Sequence, residues 1–283
     1  GYITKSQYDK AIADDFTAEI HSNALNNQLD NNEVALAVDS AAKVLIEQQD
    51  FRFQYQFDSQ KEEDRYNKEY KNAYNKVYQR ILSGGYQIST NIDTALHDQL
   101  QNIVSTVMNS WQDRNAETNL YTKQAAMTVI DNQTGDVIAS IGGRGEEDNE
   151  YNRAFLSYRQ PGSAIKPLVS YAPAYERGLL ETSTVSDDRP NETYPNNVYN
   201  SSKGTLTLRN ALAISSNVVA YKLASENRDE SNEPVYQSLA QMRFTGLDIA
   251  DDNPIIAVGG MTYGATTQEM ASGIATLVNQ GNY

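Results

Sequence analysis

The sequence predicts a mixed α+β protein in which helices pack on an antiparallel sheet. Three observations carry that expectation. Residues 124–131 and 137–141 are strand-like apolar runs on either side of Asn132-Gln133-Thr134-Gly135, a turn signature, so they read as a hairpin. Segments with apolar residues at helical spacing recur before and after it. At 283 residues the chain is long enough for one large or two modest domains with a buried core, and it has no cysteine to staple it.

Taken in order, residues 1–32 are polar and Asn-rich, with Asn23, Asn26, Asn27, Asn31 and Asn32 crowded together, which suits a linker or irregular segment. Within them, Thr4 to Ala11 have the pattern of one or two helical turns. Residues 34–48 place Val34, Leu36, Val38, Ala41, Val44 and Leu45 at helical spacing. Residues 60–82 form a second, highly charged helix. Tyr66, Tyr70, Tyr74 and Tyr78 recur every four residues along it, and Ile81 continues the stripe. We read the stripe as the buried seam of an amphipathic helix in preference to an aromatic binding strip. Ser83-Gly84-Gly85 ends it. Near residue 85 the texture changes, and we place a domain boundary there.

Residues 86–92 alternate like a strand. Residues 94–111 form an amphipathic helix with Leu96, Leu100, Ile103, Val104, Val107 and Trp111, and the hairpin follows. Residues 142–152 read as an acidic, glycine-containing loop. Pro161-Gly162 precedes a helix over 163–176, and 181–204 is rich in Ser, Asp, Asn and Pro, hence loop. Helices over 206–214 and 218–225 flank Ser215-Ser216-Asn217. An apolar run over 255–260 ends in Gly259-Gly260. Thr266-Thr267-Gln268-Glu269 has capping-box spacing for a last helix over 267–279.

Composition narrows the chemistry. A net charge of -14 repels phosphate backbones and argues against a nucleic-acid partner. No run of about 18 apolar residues is long enough to span a membrane. Without cysteine there is no thiol nucleophile and no thiolate metal site, and His21 and His97 cannot make a His-rich one. Nucleophilic catalysis then needs another base, and a Ser–Lys pair supplies it. At i and i+3 of a helix the two side chains share a face. A lysine there takes the serine proton if partial desolvation depresses its pKa. A second serine can relay that proton, and an asparagine can hold a substrate amide, as in S-x-x-K and S-x-N motifs.

The short patterns alone do not choose. Ser163-Ala164-Ile165-Lys166 and Ser40-Ala41-Ala42-Lys43 both match the first. Ser215-Ser216-Asn217, Ser225-Glu226-Asn227 and Ser89-Thr90-Asn91 match the second. Context separates them. Ser40 and Lys43 fall inside a continuous helix and read as its solvated edge. Ser89 and Asn91 fall in the alternating segment, which puts both on one face of a sheet. Ser225 and Asn227 read as a frayed helix end. Ser163 follows Pro161-Gly162, which suits a sharp turn presenting the serine at a helix start, where free N–H groups favour a developing oxyanion.

At these residues the sequence resembles the class A, bifunctional penicillin-binding proteins. Tyr151-Asn152-Arg153-Ala154 with Arg159-Gln160-Pro161-Gly162-Ser163-Ala164-Ile165-Lys166-Pro167 is similar to their active-serine segment. Residues 205–217, ending Ser215-Ser216-Asn217, resemble their second motif and the helix before it. Residues 86–93, the hairpin with Gly142-Gly143-Arg144, and Val258-Gly259-Gly260 with Thr267-Gln268-Glu269-Met270-Ala271 fit as well. The match runs from about residue 80 to 283, in order, across five segments.

The resemblance implies a β-lactamase-like transpeptidase fold with its C-terminal part missing, and a Gram-positive source. Residues 1–19 would be the tail of a glycosyltransferase domain, 20–84 an interdomain linker region, and 85–283 the transpeptidase domain. It implies acyl transfer between peptidoglycan stem peptides: Ser163 attacks the D-Ala-D-Ala carbonyl, Lys166 is the general base, Ser215 relays a proton to the departing D-Ala, and Asn217 binds the donor amide or Lys166. It implies β-lactams as covalent inhibitors, a lipid-linked precursor for the parent protein, and no metal or organic cofactor. It places the region outside the cytoplasm on a single-pass anchor upstream of Gly1.

One departure stands out. The family's third motif, Lys-Thr/Ser-Gly, occurs nowhere in this sequence. We expect it downstream of Tyr283, and an incomplete site in the chain as it stands. Two rivals follow. A β-lactamase or carboxypeptidase would use the same machinery with water, and turnover of hydrolysed product would reveal it. A non-catalytic scaffold module draws support from the missing motif, and the gene beyond Tyr283 discriminates it.

Overall fold

The computed structural model describes residues 32–144, 151–199 and 201–281. The expectations for residues 1–19, for the helical turns within them, and for most of the acidic loop (145–150) lie outside the described residues.

Helix α1 (Asn32–Glu47) and helix α2 (Gln60–Ser83) pack as an antiparallel-type pair joined by the aromatic stretch that holds Phe51 and Phe53. Val38, Ala42, Ile46, Val77 and Ile81 make their shared core. Ser59 caps α2 by accepting from the Glu62 N–H, and Gly84 closes it. Tyr66, Tyr70, Tyr74 and Tyr78 form a continuous ladder, with neighbouring ring centroids 5.7–6.2 Å apart. The ladder is half-buried, with Tyr70, Tyr74 and Tyr78 packed on that core. It is therefore a seam, with the edges of its rings still reaching water.

Residues 86–93 do not form the expected strand. A strand needs a partner, and here only the Asp93 N–H reaches the hairpin, at Ile138 O (2.9 Å). Asp93 then caps helix α3 (Thr94–Val107). Only Val104 of that helix is fully buried; Ile103 and Val107 face solvent.

The hairpin is β1 (Met127–Ile130) and β2 (Val137–Ile141), antiparallel, with Met127 opposite Ile141 and a register irregularity at Val129/Ile130. Helices cover it as the fold class requires: α3 packs on β2, and the last helix packs on β1. A short helix α4 (Arg153–Leu156) leads to the Pro161-Gly162 turn.

The expected single helix over 163–176 is three pieces. A 3-10 turn (Gly162–Ile165) passes into a π-helical turn (Pro167–Tyr171) and then helix α5 (Ala172–Glu176). Proline is the cause. Pro173 has no N–H, so the Val169 carbonyl loses its helical donor, and the Ala172 N–H bonds Pro167 O, which withholds it from Leu168 O. Side chains from elsewhere replace it. Ser238 Oγ donates to Leu168 O (2.8 Å), and Asn227 Nδ2 donates to Ser170 O (3.0 Å) and Val169 O (3.5 Å).

The segment over 181–204 is not wholly loop. Strand β3 (Thr184–Ser186) pairs antiparallel with β4 (Thr205–Thr207), so the helix expected from 206 starts later, as α6 (Leu208–Ala213) capped by Thr207. Helix α7 (Asn217–Ser231) runs past 225, so Ser225 and Asn227 are not at a frayed end; Asn227 is buried against the 3-10/π segment. Helix α8 (Gln237–Gln241), a 3-10 turn (Pro254–Val258) and helix α9 (Thr267–Val278) complete the described chain. The Thr266/Glu269 capping box of α9 is formed in both directions. The larger core lies among these elements, centred on Ile165, Leu168, Tyr171, Leu223, Leu239 and Phe244.

Candidate active site

Three chain segments meet around the 162–166 turn. The first is the 3-10 turn. Gly162 enters it at φ 56°, a left-handed conformation that glycine adopts without a Cβ penalty. Three residues make one 3-10 turn, so Ser163 and Lys166 stack on one face, and the Lys166 N–H closes the turn on Ser163 O. Ser163 is exposed, while Lys166 is fully buried. The exposed nucleophile candidate and the buried lysine are thus one turn apart on the same segment.

The second segment is the α6–α7 connection. Ser215 sits at φ 56°, and its N–H bonds Leu212 O (2.9 Å). This left-handed kink turns both Ser215 oxygens toward Lys166. The ammonium donates to Ser215 O (2.6 Å), Ser215 Oγ (2.9 Å) and Asn217 Oδ1 (2.6 Å). All three of its protons are thus placed. Burial nevertheless disfavours the charge, and the Lys166 ammonium is lowered from 10.5 to about 8. A lysine there is close to releasing its proton near neutral pH, which is what proton abstraction from a serine requires.

The third segment backs the turn. The Gly259 α-carbon follows the Pro254–Val258 turn at φ 91°, and a Cβ there would overlap the Gly162 backbone. Gln160 clamps the same corner, accepting from Met261 N (2.9 Å) and donating to Met261 O. The Val258-Gly259-Gly260 segment is thus a close backbone neighbour of the serine turn.

The structure brings Lys166, Ser215 and Asn217 into contact, with Ser163 one 3-10 turn away. Of the two recognition options for Asn217, its Oδ1 takes Lys166 here, and its Nδ2 donates to Asn196 O (2.8 Å). The competing matches lie elsewhere. Ser40 is exposed on α1. Lys43, with its side chain 43% exposed, keeps the expected solvated edge, but it also pairs with Asp39 (2.8 Å) and lines a cleft of about 640 Å³ between the α1–α2 pair and residues 243–247 and 266–269. Burial alone would lower the Lys43 ammonium, but the Asp39 carboxylate outweighs it and holds it above its ordinary value. It is the opposite of the Lys166 case. Ser89 and Asn91 are exposed in the irregular segment.

Sequence reading missed Asp187, Asn196, Asn197, Tyr199 and Ser216. Asp187 and Ser216 are buried and bonded to each other, and Asn197 Oδ1 accepts from the Asn217 N–H, so the Ser215–Asn217 turn is held by both. The available signal was an unusual density of Asp and Asn in 187–197, which composition alone assigns to loop. Among the described residues no group of His, Asp and Glu has the arrangement of a metal site.

Comparison with known proteins identifies the family. The family model "Penicillin binding protein transpeptidase domain" matches residues 125–283. Penicillin-binding protein 1A of Clostridium perfringens is 33% identical over 244 residues, covering 80% of this chain and 27% of the relative. Penicillin-binding protein 1A of Streptococcus oralis is 30% identical over 305 residues, covering all of this chain and 40% of the relative. The chain thus spans well under half the length of these relatives. The penicillin-binding protein PonA1 of Mycobacterium tuberculosis shares the fold, with a TM-score of 0.53 over 70% of this chain and 51% of that one, at 23% identity. With the mixed α/β transpeptidase fold and the family match over more than half its length, the chain belongs to the penicillin-binding protein transpeptidase family.

Proposed function

We propose that this chain is the transpeptidase part of a bifunctional, class A penicillin-binding protein that cross-links peptidoglycan stem peptides through a serine acyl-enzyme. The observation that carries the reading is the buried Lys166 ammonium, held by Ser215 and Asn217 and lowered to about 8, one 3-10 turn from the exposed Ser163.

In this reading neutral Lys166 takes the Ser163 proton as Oγ attacks the terminal D-Ala-D-Ala carbonyl. The tetrahedral intermediate collapses, the peptide C–N bond breaks, and Ser215 passes a proton from Lys166 to the departing D-Ala nitrogen. An amine of a second stem peptide then attacks the ester and regenerates Ser163. Asn217 fixes Lys166 in the resting site and offers its amide to the donor peptide in the complex. β-Lactams present the same carbonyl and trap Ser163. The same reading assigns residues 1–19 to the tail of a glycosyltransferase domain fed by a lipid-linked precursor, 20–84 to a linker region and 85–283 to the transpeptidase domain. It places the protein on the extracytoplasmic side of a single-pass anchor. No described helix is long and apolar enough to cross a membrane. A Gram-positive source is part of it, in keeping with the Clostridium and Streptococcus relatives.

Fluorescent penicillin tests the assignment on the full-length protein. Wild type and Ser40→Ala label covalently, and Ser163→Ala does not. Persistent labelling of Ser163→Ala at the transpeptidase domain would overturn it.

A further inference from the structure

We propose that Asp187 is a positioning residue for acylation: through Ser216 and Asn197, its buried carboxylate fixes the Ser215–Asn217 turn that holds Lys166. The inference rests on the acyl-enzyme reading of Ser163 and Lys166.

Asp187 lies just after β3 and is almost wholly buried. A buried carboxylate is costly unless donors surround it. Here Oδ1 accepts from Ser216 Oγ (2.5 Å), Tyr199 Oη (2.8 Å) and Asn197 Nδ2 (2.9 Å), and Oδ2 accepts from the Lys203 N–H (2.9 Å). Burial alone would raise its pKa. The hydrogen bonds from Ser216, Lys203, Tyr199 and Asn197 outweigh that and hold the carboxyl below the usual range, so it stays ionised at neutral pH.

An acceptor-only group of this kind dictates which way round its neighbours sit. Ser216 spends its one proton on Asp187, which leaves its oxygen to accept from the Val219 N–H (3.0 Å) and cap α7. Asn197 spends its amide protons toward Asp187, which turns its Oδ1 to the Asn217 N–H (2.7 Å) and the Val218 N–H (3.2 Å). Asn196, the adjacent residue, offers its carbonyl to Asn217 Nδ2 (2.8 Å). With that donor committed, Asn217 Oδ1 faces Lys166 (2.6 Å). Asp187 thus orients Asn197, Asn197 holds the Asn217 main chain, and the neighbouring Asn196 carbonyl orients the Asn217 side chain that meets the ammonium. Asp187 touches neither Ser163 nor the reacting atoms, so its action is indirect.

An amide at 187 breaks this arrangement. Its NH₂ must point either at the Lys203 N–H or at Asn197 Nδ2, and each is a donor facing a donor; only the Ser216 and Tyr199 hydroxyls can turn to accept it. The test follows covalent labelling of the full-length protein by fluorescent penicillin in quenched time courses. These give the active fraction from the amplitude, and the rate constant and half-saturation from the concentration dependence. For Asp187→Asn the amplitude is expected to stay near wild type and half-saturation to change little. The rate constant should fall about 10- to 100-fold, the size of one lost charge-assisted hydrogen bond expressed as a rate. In an Asn217→Ala background the same substitution should cost clearly less than in wild type, because one of the two residues through which the turn holds Lys166 has lost its contact, while Ser215 remains. Asn197→Ala, which keeps the carboxylate and three of its four donors but removes the link to Asn217, should show the same rate loss and the same dependence on Asn217, so a poorly folding Asp187→Asn does not end the test. Wild-type rates in Asp187→Asn or Asn197→Ala would overturn the proposal, as would an equal loss with and without Asn217, the signature of a merely structural role. Labelling that survives Ser163→Ala sinks the acyl-enzyme reading itself, whereas loss in Ser163→Ala alongside normal Asp187→Asn sinks only this inference.

Discussion

Replacing Lys166 with methionine tests the burial of its ammonium. Methionine has a similar length, stays apolar at every pH, and leaves the other ionisable groups in place. Lys166 holds its proton in the unfolded chain up to its ordinary value of 10.5, but in the folded chain only up to about 8. Between those values unfolding takes up a proton, so raising the pH favours the folded state. The displacement corresponds to about 3 kcal/mol at 1.36 kcal/mol per pH unit. Below about pH 8 the wild type carries this full penalty; above about pH 10.5 it carries none. Urea unfolding followed by circular dichroism, at intervals from pH 7 to 10.5, should therefore show wild type gaining about 3 kcal/mol on Lys166→Met. Tyrosines and other lysines titrate in both proteins and cancel in the difference. Parallel stability curves would refute the claim that burial depresses this lysine. The same value sets the chemistry: at pH 7 about a tenth of the molecules hold a neutral Lys166, and β-lactam acylation should rise with pH to a plateau above about pH 8.

Three further outcomes follow from the packing. Asn227→Ala should cost about 1 kcal/mol in urea unfolding: the Ser170 carbonyl loses its donor, offset in part because Asn227 Oδ1, itself without a partner among the described residues, is also removed. Asn227→Asp, which sets a carboxylate against two carbonyls, should cost about 3 kcal/mol or more. Gly259→Ala should lose about 3 kcal/mol of stability and slow acylation, since it combines φ 91° with overlap of the Gly162 backbone. Gly162→Ala, at φ 56° with open space around it, should lose only about 1–2 kcal/mol, and equal thermal shifts for the two would contradict the close-approach account. Glu269→Gln should cost about 1–3 kcal/mol by chemical denaturation, because its carboxylate accepts from Thr245 N (2.7 Å), Thr245 Oγ1 (2.7 Å) and Thr266 N (2.8 Å), where an amide presents protons; an unchanged midpoint would refute it.

What was legible in the sequence was what repeats or punctuates. The period of α1 and α2, the Thr134-Gly135 turn, the Thr266/Glu269 box and the Pro161-Gly162 corner each announce themselves within a few residues. What was not legible depends on partners far away. The 86–92 alternation is a strand pattern without a strand beside it, and Pro173 divides a helix whose apolar pattern is continuous. The site divides in the same manner. Motif spacing offered Ser163, Lys166, Ser215 and Asn217 among rival matches, context and resemblance chose them, and the geometry joins Lys166 to the latter two. Asp187 and Asn197 were invisible, because a buried carboxylate inside a polar loop has no period and no fixed spacing to what it holds.

The interrupted helix after the serine also bears on the order in which this chain acquires its structure. The tyrosine ladder and its partner helix close over short separations; Tyr74 reaches Asp39 across 35 residues. The segment 162–171 closes over longer ones. Its ammonium meets Ser215 and Asn217 at 49 and 51 residues, and its released carbonyls meet Asn227 and Ser238 at 57 and 70. Closing those separations costs only about 0.3–0.6 kcal/mol more than closing 35 residues, so what sets them apart is the order in which the chain is made. During synthesis from the N-terminus the helical pair can consolidate while the serine turn is still waiting for residues that have not left the ribosome. The nucleophile's scaffold is in this sense a terminus of folding rather than a seed. A lesion at residue 238, far along the chain from Ser163, should reach it by leaving that waiting segment without its last anchor.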